Sequence, residues 1–301
     1  MITTRIVPAH ASAKLLSILS SALIFAPSVL VAVSLSILLG SCGEKKIEWN
    51  ERLVHEALRS SNPGYNGEAQ MKIMGGEVIA LGLEGTGVTD LTPLTKMGIR
   101  RLDLKMLKVS DLSPLKGLLL TELYLEGTGV TDLTTLRGMP ITKLYLNVTD
   151  VRDISPLVGM PLEVLSLFQT KVDDLKPLAG MPLKMLWLSA TPVSDISPLA
   201  GLPLQSLSIY RTQVSDLSPL AGSDIQKLNI AETLVRDLTP LAGLELTRLI
   251  FTPELIKKGI EIPKNMDTIF EIGTTLETMM SPKEFWERYD LLIDKGAAGK
   301  E

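Results

Sequence analysis

The 301-residue sequence contains one cysteine and two histidines. A single cysteine excludes an intrachain disulfide framework. His10 lies in an apolar N-terminal stretch, so His55 is the only other imidazole. No Ser-His-Asp set, no metal-ligand spacing and no glycine-rich phosphate loop is present. Basic residues are scarce as well: Lys and Arg number 30 against 34 Asp and Glu, interspersed, with a formal net charge of −4. No basic field exists to hold nucleic acid. Aromatics make up only 4% of the chain, which makes their positions informative. At 45% hydrophobic and 21% charged, the composition is not that of a disordered chain. The expectation is a non-catalytic protein with no cofactor and no metal.

The one long hydrophobic run is N-terminal. Residues 1–14 carry Arg5 and Lys14 as their only charges, and residues 15–40 are uncharged and apolar. A positive start followed by an apolar core is a secretory signal. The run ends Leu39-Gly40-Ser41-Cys42, which resembles a bacterial lipobox. The resemblance implies a signal peptide over 1–41, lipidation of Cys42, and a product held on a membrane and facing the periplasm or the cell exterior. An uncleaved transmembrane helix is the alternative, since 15–40 exceeds the roughly 20 residues that span a bilayer. Pro27 interrupts that run, and residues 29–39 alone would serve as a signal core.

The middle of the chain is one phrase repeated. Asp90, Asp111, Asp132, Asp153, Asp174, Asp195, Asp216 and Asp237 stand 21 residues apart without an insertion. Each opens a phrase such as DLSPL, followed by a Leu-x-Leu pair and then Thr-x-Val. A fixed period of this size with Leu-x-x-Leu-x-Leu spacing marks a leucine-rich-repeat solenoid. The predicted fold is an α/β solenoid of eight 21-residue turns, with a parallel concave sheet, short 3₁₀ or helical turns on the convex side, and a helical cap at each end. Nine strands at the usual spacing make a sheet of roughly 40 Å.

One turn shows the logic. Leu183, Leu186 and Leu188 point inward, while Met185, Trp187 and Ser189 alternate outward onto the concave face. Thr191 follows, in a column broken only at Leu107. Its hydroxyl is expected to bond the backbone of the bend. Val193 belongs to a column that never varies, as a tightly packed core position requires. Ser or Thr before Pro is read as a helix start, with the hydroxyl as cap. Gly201 and its equivalents are read as left-handed caps ending one short turn. The Asp column suggests a calcium ladder, but each turn supplies only one carboxylate beside free backbone N–H groups. Capping is the more economical role.

From about 77 to 252 the repeats resemble the short-repeat leucine-rich-repeat proteins of bacterial envelopes, akin to internalin-type repeats though one residue shorter. Some related repeats are appended to protein kinases, but no kinase motif occurs in this sequence. The resemblance implies protein–protein interaction in a generic sense.

The domain expectation follows: signal peptide 1–41, linker and N-terminal cap 42–76, repeats 77–252, C-terminal cap and tail 253–301. The first cap is a helix over about 49–59 with Trp49, Leu53, Val54, Ala57 and Leu58 at helical spacing. After the turn Asn62 to Gly67 it continues into a strand over 69–74. The second is a helix over about 282–293 behind the capping box Ser281-Pro282-Lys283-Glu284, with a frayed tail from Ala297.

Function falls to the two outward strand columns, which hold Tyr124, Tyr145, Phe168, Trp187 and Tyr210. With Met185 these residues are the candidate binding site, because exposed Trp and Tyr clusters mark interaction hot spots. Aromatics also simply favour strands. The N-terminal part of the face, with Arg101, Asp103, Lys105, Glu122, Glu126 and Lys143, is of mixed charge. The expected partner is a protein on the concave face. A glycan stacked on the same rings, or a structural envelope role without a discrete ligand, is the alternative.

Overall fold

The computed structural model describes residues 47–298. The signal sequence and Cys42 lie outside the described residues. The described part is a compact unit of its own, built on one eleven-stranded sheet whose strands follow chain order.

The N-terminal cap opens with α1, Glu51–Ser61. The helix starts later than the apolar spacing suggests, because Asn50 caps it: its side chain accepts the Leu53 N–H at 3.0 Å. Trp49 therefore precedes the helix, and its indole N–H donates to the Lys96 carbonyl at 3.4 Å. Val54 and Leu58 bury their side chains against the first turn. Next comes β1, Gln70–Met74, which turns through Gly75 and Gly76, both left-handed, into β2, Glu77–Gly82. β1 runs antiparallel to β2. All later pairings are parallel: β3 Arg101–Asp103, β4 Glu122–Tyr124, β5 Lys143–Tyr145, β6 Val164–Ser166, β7 Met185–Trp187, β8 Ser206–Ser208, β9 Lys227–Asn229 and β10 Arg248–Ile250.

After α2, Glu261–Lys264, the parallel sheet gains β11, Glu271–Gly273, beside β10. The segment that looked irregular in sequence thus holds a strand. With the two cap strands the sheet has eleven strands rather than nine, a span of about 48 Å. Met280 bridges Ile272 on the outer side of β11, and α3, Pro282–Ala298, closes the end. This helix is longer than the expected 282–293, and Ala297 and Ala298 are part of it. Ser281 and Glu284 form the reciprocal capping box, each backbone N–H reaching the other side chain at 3.4 Å.

Within a turn the buried columns are uniform. The eight valines from Val88 to Val235 are at most 2% exposed. The seven threonines of the Thr column are buried, and each hydroxyl donates to the carbonyl three residues back, for example Thr191 to Leu188 at 2.6 Å. The convex connections are 3₁₀ turns, such as Ser197–Leu199. Here the local chemistry differs from the expected Ser cap. Ser197 is the first residue of the turn, not its cap, and the capping group is Asp195. Its Oδ1 accepts the Ser197 N–H at 2.8 Å and its Oδ2 accepts the Ser197 hydroxyl at 3.0 Å. All eight aspartates accept the backbone N–H two residues on, at 2.7–2.9 Å. The carboxylate reaches that donor while the hydroxyl is already beside it, so the longer acidic side chain takes the capping role. The Gly column leaves each turn at φ between 70° and 84°.

A second left-handed column has no sequence signature. Gly85, Met106, Gly127, Val148, Gln169, Ala190, Arg211 and Glu232 all have φ between 53° and 72°. The sheet ladder imposes it. The Met106, Gly127, Val148, Gln169, Ala190 and Arg211 N–H groups each donate to a carbonyl in the next turn at 2.8–3.1 Å. The bend is fixed by those bonds whatever the side chain, at a conformational cost wherever the residue is not glycine.

Candidate binding face

Strands β3 to β10 are three residues long, so each presents a central inward leucine and two outward positions to the concave face. Parallel pairing in register stacks these positions into columns. One column runs Arg101, Glu122, Lys143, Val164, Met185, Ser206, Lys227, Arg248, Glu271. The other runs Asp103, Tyr124, Tyr145, Ser166, Trp187, Ser208, Asn229, Ile250.

The aromatic side chains do not form one exposed patch. All five are half-buried, and they fall into two groups. Tyr124 and Tyr145 stack face to face, with ring centroids 4.7 Å apart and planes 4° from parallel. The Arg101 guanidinium lies 5.0 Å from the Tyr124 ring, and the Tyr124 hydroxyl donates to Glu122 at 3.2 Å. Glu122 also pairs with Lys143 at 2.8 Å, which holds its carboxyl below the usual range. Burial pushes both tyrosine hydroxyls up. Nearby, Lys105 bridges Glu84 at 3.4 Å and Asp103 at 3.2 Å. Most charges in this half already have partners within the face.

Between the two groups lies β6, whose outward residues Val164 and Ser166 are buried. Ser166 is small and sits in register between Tyr145 and Trp187, and its hydroxyl donates to Asn147. Val164 thus belongs to the covered floor of the face.

The second group borders an open depression of about 340 Å³. Phe168, Trp187 and Tyr210 wall it on one side, and Arg248, Ile250 and Leu276 on the other. Ser206, Ser208 and Asn229 contribute to its lining, with Lys227 beside them. The depression exists because the outward columns turn small at β8 and β9, directly after the bulky Trp187. Tyr210 is anchored at its rim. Its hydroxyl donates to Glu232 at 3.0 Å, and Arg211 reaches Glu232 at 2.6 Å while lying 5.3 Å from the Tyr210 ring. Met185 is on β7 beside Trp187 but does not line the hollow, and Tyr124 and Tyr145 lie outside it. Ser208 and Asn229 stand in the outward column in sequence, but their smallness is what makes the hollow. Arg248 and Leu276 belong to the last repeat and to the cap, beyond the reach of a search for aromatics.

Other candidate chemistry is structural. The His55 Nδ1 lies 2.6 Å from the Tyr65 hydroxyl inside the N-terminal cap. Among the described residues no group of three His, Cys, Asp or Glu side chains is placed to hold a metal ion. No described helix is long and apolar enough to cross a membrane.

Neither a protein-family model nor a curated protein matches the chain. Solved structures do. The chain is similar to internalin C2 of Listeria monocytogenes, with 29% sequence identity and a TM-score of 0.59 over 66% of this chain and 92% of that one. The fold is that of a leucine-rich-repeat solenoid. It is also similar to an internalin (inlF) of the same organism, at 26% identity and a TM-score of 0.56 over 73% of each chain. Parallel strands joined by regular 3₁₀ turns are the architecture this solenoid shares with those two internalins.

Proposed function

We propose that this leucine-rich-repeat protein is a non-catalytic, lipid-anchored protein of the cell envelope that binds a protein partner on its concave face. The observation that carries the reading is the hollow bordered by Phe168, Trp187 and Tyr210. It places large half-buried rings around an unfilled space, the arrangement in which a partner side chain gains most from burial. Similarity to bacterial internalins supports an interaction module, and Leu39-Gly40-Ser41-Cys42 supports the anchor. Lipidation at Cys42 would hold the repeats against the outer side of a membrane, in the periplasm or at the cell exterior.

Crosslinking in intact cells, followed by capture from envelope extracts, tests the binding reading. Trp187→Ala and Phe168→Ala are each expected to reduce recovery of the crosslinked partner about tenfold or more. Equal recovery by wild type and both variants removes this site. Cys42→Ser tests the anchor separately: the variant should take up no labelled lipid and leave the membrane fraction.

A further inference from the structure

We infer that the hollow beside Trp187 receives an acidic segment of a partner protein: a short peptide stretch carrying an apolar side chain next to a carboxylate. The inference rests on the binding reading above and adds the chemistry of the occupant.

The charge order of the first outward column supports it. Along the sheet, neighbouring charges in this column alternate in sign, as Arg101, Glu122 and Lys143 do on β3 to β5, and as Arg248 and Glu271 do on β10 and β11. Lys227 breaks the alternation. It sits in register directly beside Arg248, cation next to cation. Like charges opposite one another on a sheet are destabilising. Glu271 neutralises Arg248, but the Lys227 ammonium is exposed and has no partner among the described residues. Its other neighbour is Ser206, whose hydroxyl has no hydrogen-bond partner either.

The lining is also one-sided in charge. It contains Lys227 and Arg248 and no carboxylate. The Asn229 carbonyl oxygen is used by the Ala231 N–H at 3.1 Å, which leaves its amide N–H groups to donate. The Trp187 indole N–H has no partner among the described residues. The carboxylates beside it, Glu232, Glu271 and Glu277, lie outside the lining, and Arg211, Arg248 and Thr275 already engage them. Cationic and N–H donors therefore converge on a hollow whose lining offers serine hydroxyls but no carboxylate, in a protein of net negative charge. A carboxylate meets those donors, since it only accepts. A neutral sugar leaves the Lys227 ammonium without a counter-charge, although the serine hydroxyls could bond it. Leu276, 64% exposed on the opposite lip, and Trp187 supply apolar walls for the neighbouring side chain.

The test uses the full-length chain in detergent micelles. The probe is an array of ten-residue peptides with a central Leu or Phe flanked by Asp or Glu, alongside the same peptides with Asn, Gln or Lys at the flanks. The acidic set should be retained and the neutral and basic sets should not. Lys227→Glu should weaken retention of the acidic set about tenfold or more, and raising the salt concentration should weaken it further. Lys227 is exposed and the change removes the like-charge contact with Arg248, so this variant keeps the fold and should unfold at a temperature no lower than wild type. Lys-flanked peptides should gain on the Lys227→Glu protein. Retention of no peptide, equal retention of acidic and neutral sets, or displacement of the peptides by neutral oligosaccharides overturns the inference. If the crosslinked partner is lost from Trp187→Ala but kept by Lys227→Glu, protein binding stands and the acidic occupant falls. If acidic peptides bind through Lys227 while Trp187→Ala and Phe168→Ala keep the crosslinked partner, the reverse holds.

Discussion

The buried side chain of Asn62 closes both backbone groups of Asp90. Its Oδ1 accepts the Asp90 N–H at 2.8 Å, and its amide N–H donates to the Asp90 carbonyl at 3.0 Å. The same side chain accepts the Thr89 N–H at 2.8 Å and donates to Leu58 at the end of α1 at 3.1 Å. Asp90 opens the first repeat, and no earlier turn among the described residues pairs with the backbone there. Asn62 supplies those bonds and ties the cap helix to the coil.

Replacing Asn62 with Ala leaves buried N–H and C=O groups without partners at once. Unmade buried bonds cost more than made ones contribute, so the loss should be about 2–4 kcal/mol. Urea unfolding of Asn62→Ala against wild type measures it. A loss below about 0.5 kcal/mol would show that water or local movement replaces the side chain.

The capping aspartates predict how the coil responds to acid. In Asp111, Asp153, Asp195 and Asp216 the backbone N–H of the following serine, and then its hydroxyl, hold the carboxyl below its ordinary value. In Asp237 the Thr239 hydroxyl and N–H lower it to about 2. A carboxylate depressed in the folded state stabilises the fold above its unfolded value of 3.8 and loses that contribution as pH falls through the folded one. The melting temperature should hold steady above about pH 5 and fall progressively between about pH 4 and 2. The Asp195→Asn, Asp216→Asn double variant should be less stable at pH 7 and lose less on acidification. Parallel curves for the two proteins would dissociate the capping bonds from acid sensitivity.

The solenoid was legible because its buried columns are uniform: the same Val, Leu and Asp recur wherever the same contact recurs. The left-handed bend column was not legible, because ladder bonds between turns fix its backbone and accept Met106, Val148 or Arg211 alike. Strand β11 escaped notice because the repeat phrase ends before it, and pairing with β10 makes Glu271–Gly273 extended. At the candidate site the aromatics were visible as large residues in outward positions. The hollow was not, since it comes from what Ser206, Ser208 and Asn229 leave empty. The pairing of Arg101, Glu122 and Lys143 also needed the register, which puts residues 21 apart side by side.

The two left-handed columns give a paired prediction. Val148 is β-branched, 54% exposed and held at φ 57°, so its side chain gains little from burial and its backbone is strained. Val148→Gly should stabilise the protein by about 1 kcal/mol. At Gly201, φ is 74° and an added Cβ would meet nothing within 4 Å, so Gly201→Ala tests the backbone alone. It should cost about 1 kcal/mol. Chemical denaturation of both variants checks the signs. A destabilising Val148→Gly would mean that the exposed isopropyl group packs in solution.

Glu126 predicts the opposite pH response to the aspartates. Its Oε2 is buried without a hydrogen-bond partner, and burial pushes its pKa up; Lys105 counters this while Asp103 and Glu84 add to it. A carboxyl raised in the folded state weakens the fold above its folded pKa, where it must carry charge, and the penalty disappears below its unfolded value. Glu126→Gln removes the charge and keeps the shape. It should therefore raise the melting temperature at pH 7, and the difference should shrink to nothing as pH falls through the carboxyl range. Melting curves of both proteins from pH 7 to 4 read this directly. A Glu126→Gln protein that melts lower than wild type at pH 7 would show that attraction to Lys105 outweighs desolvation at this position.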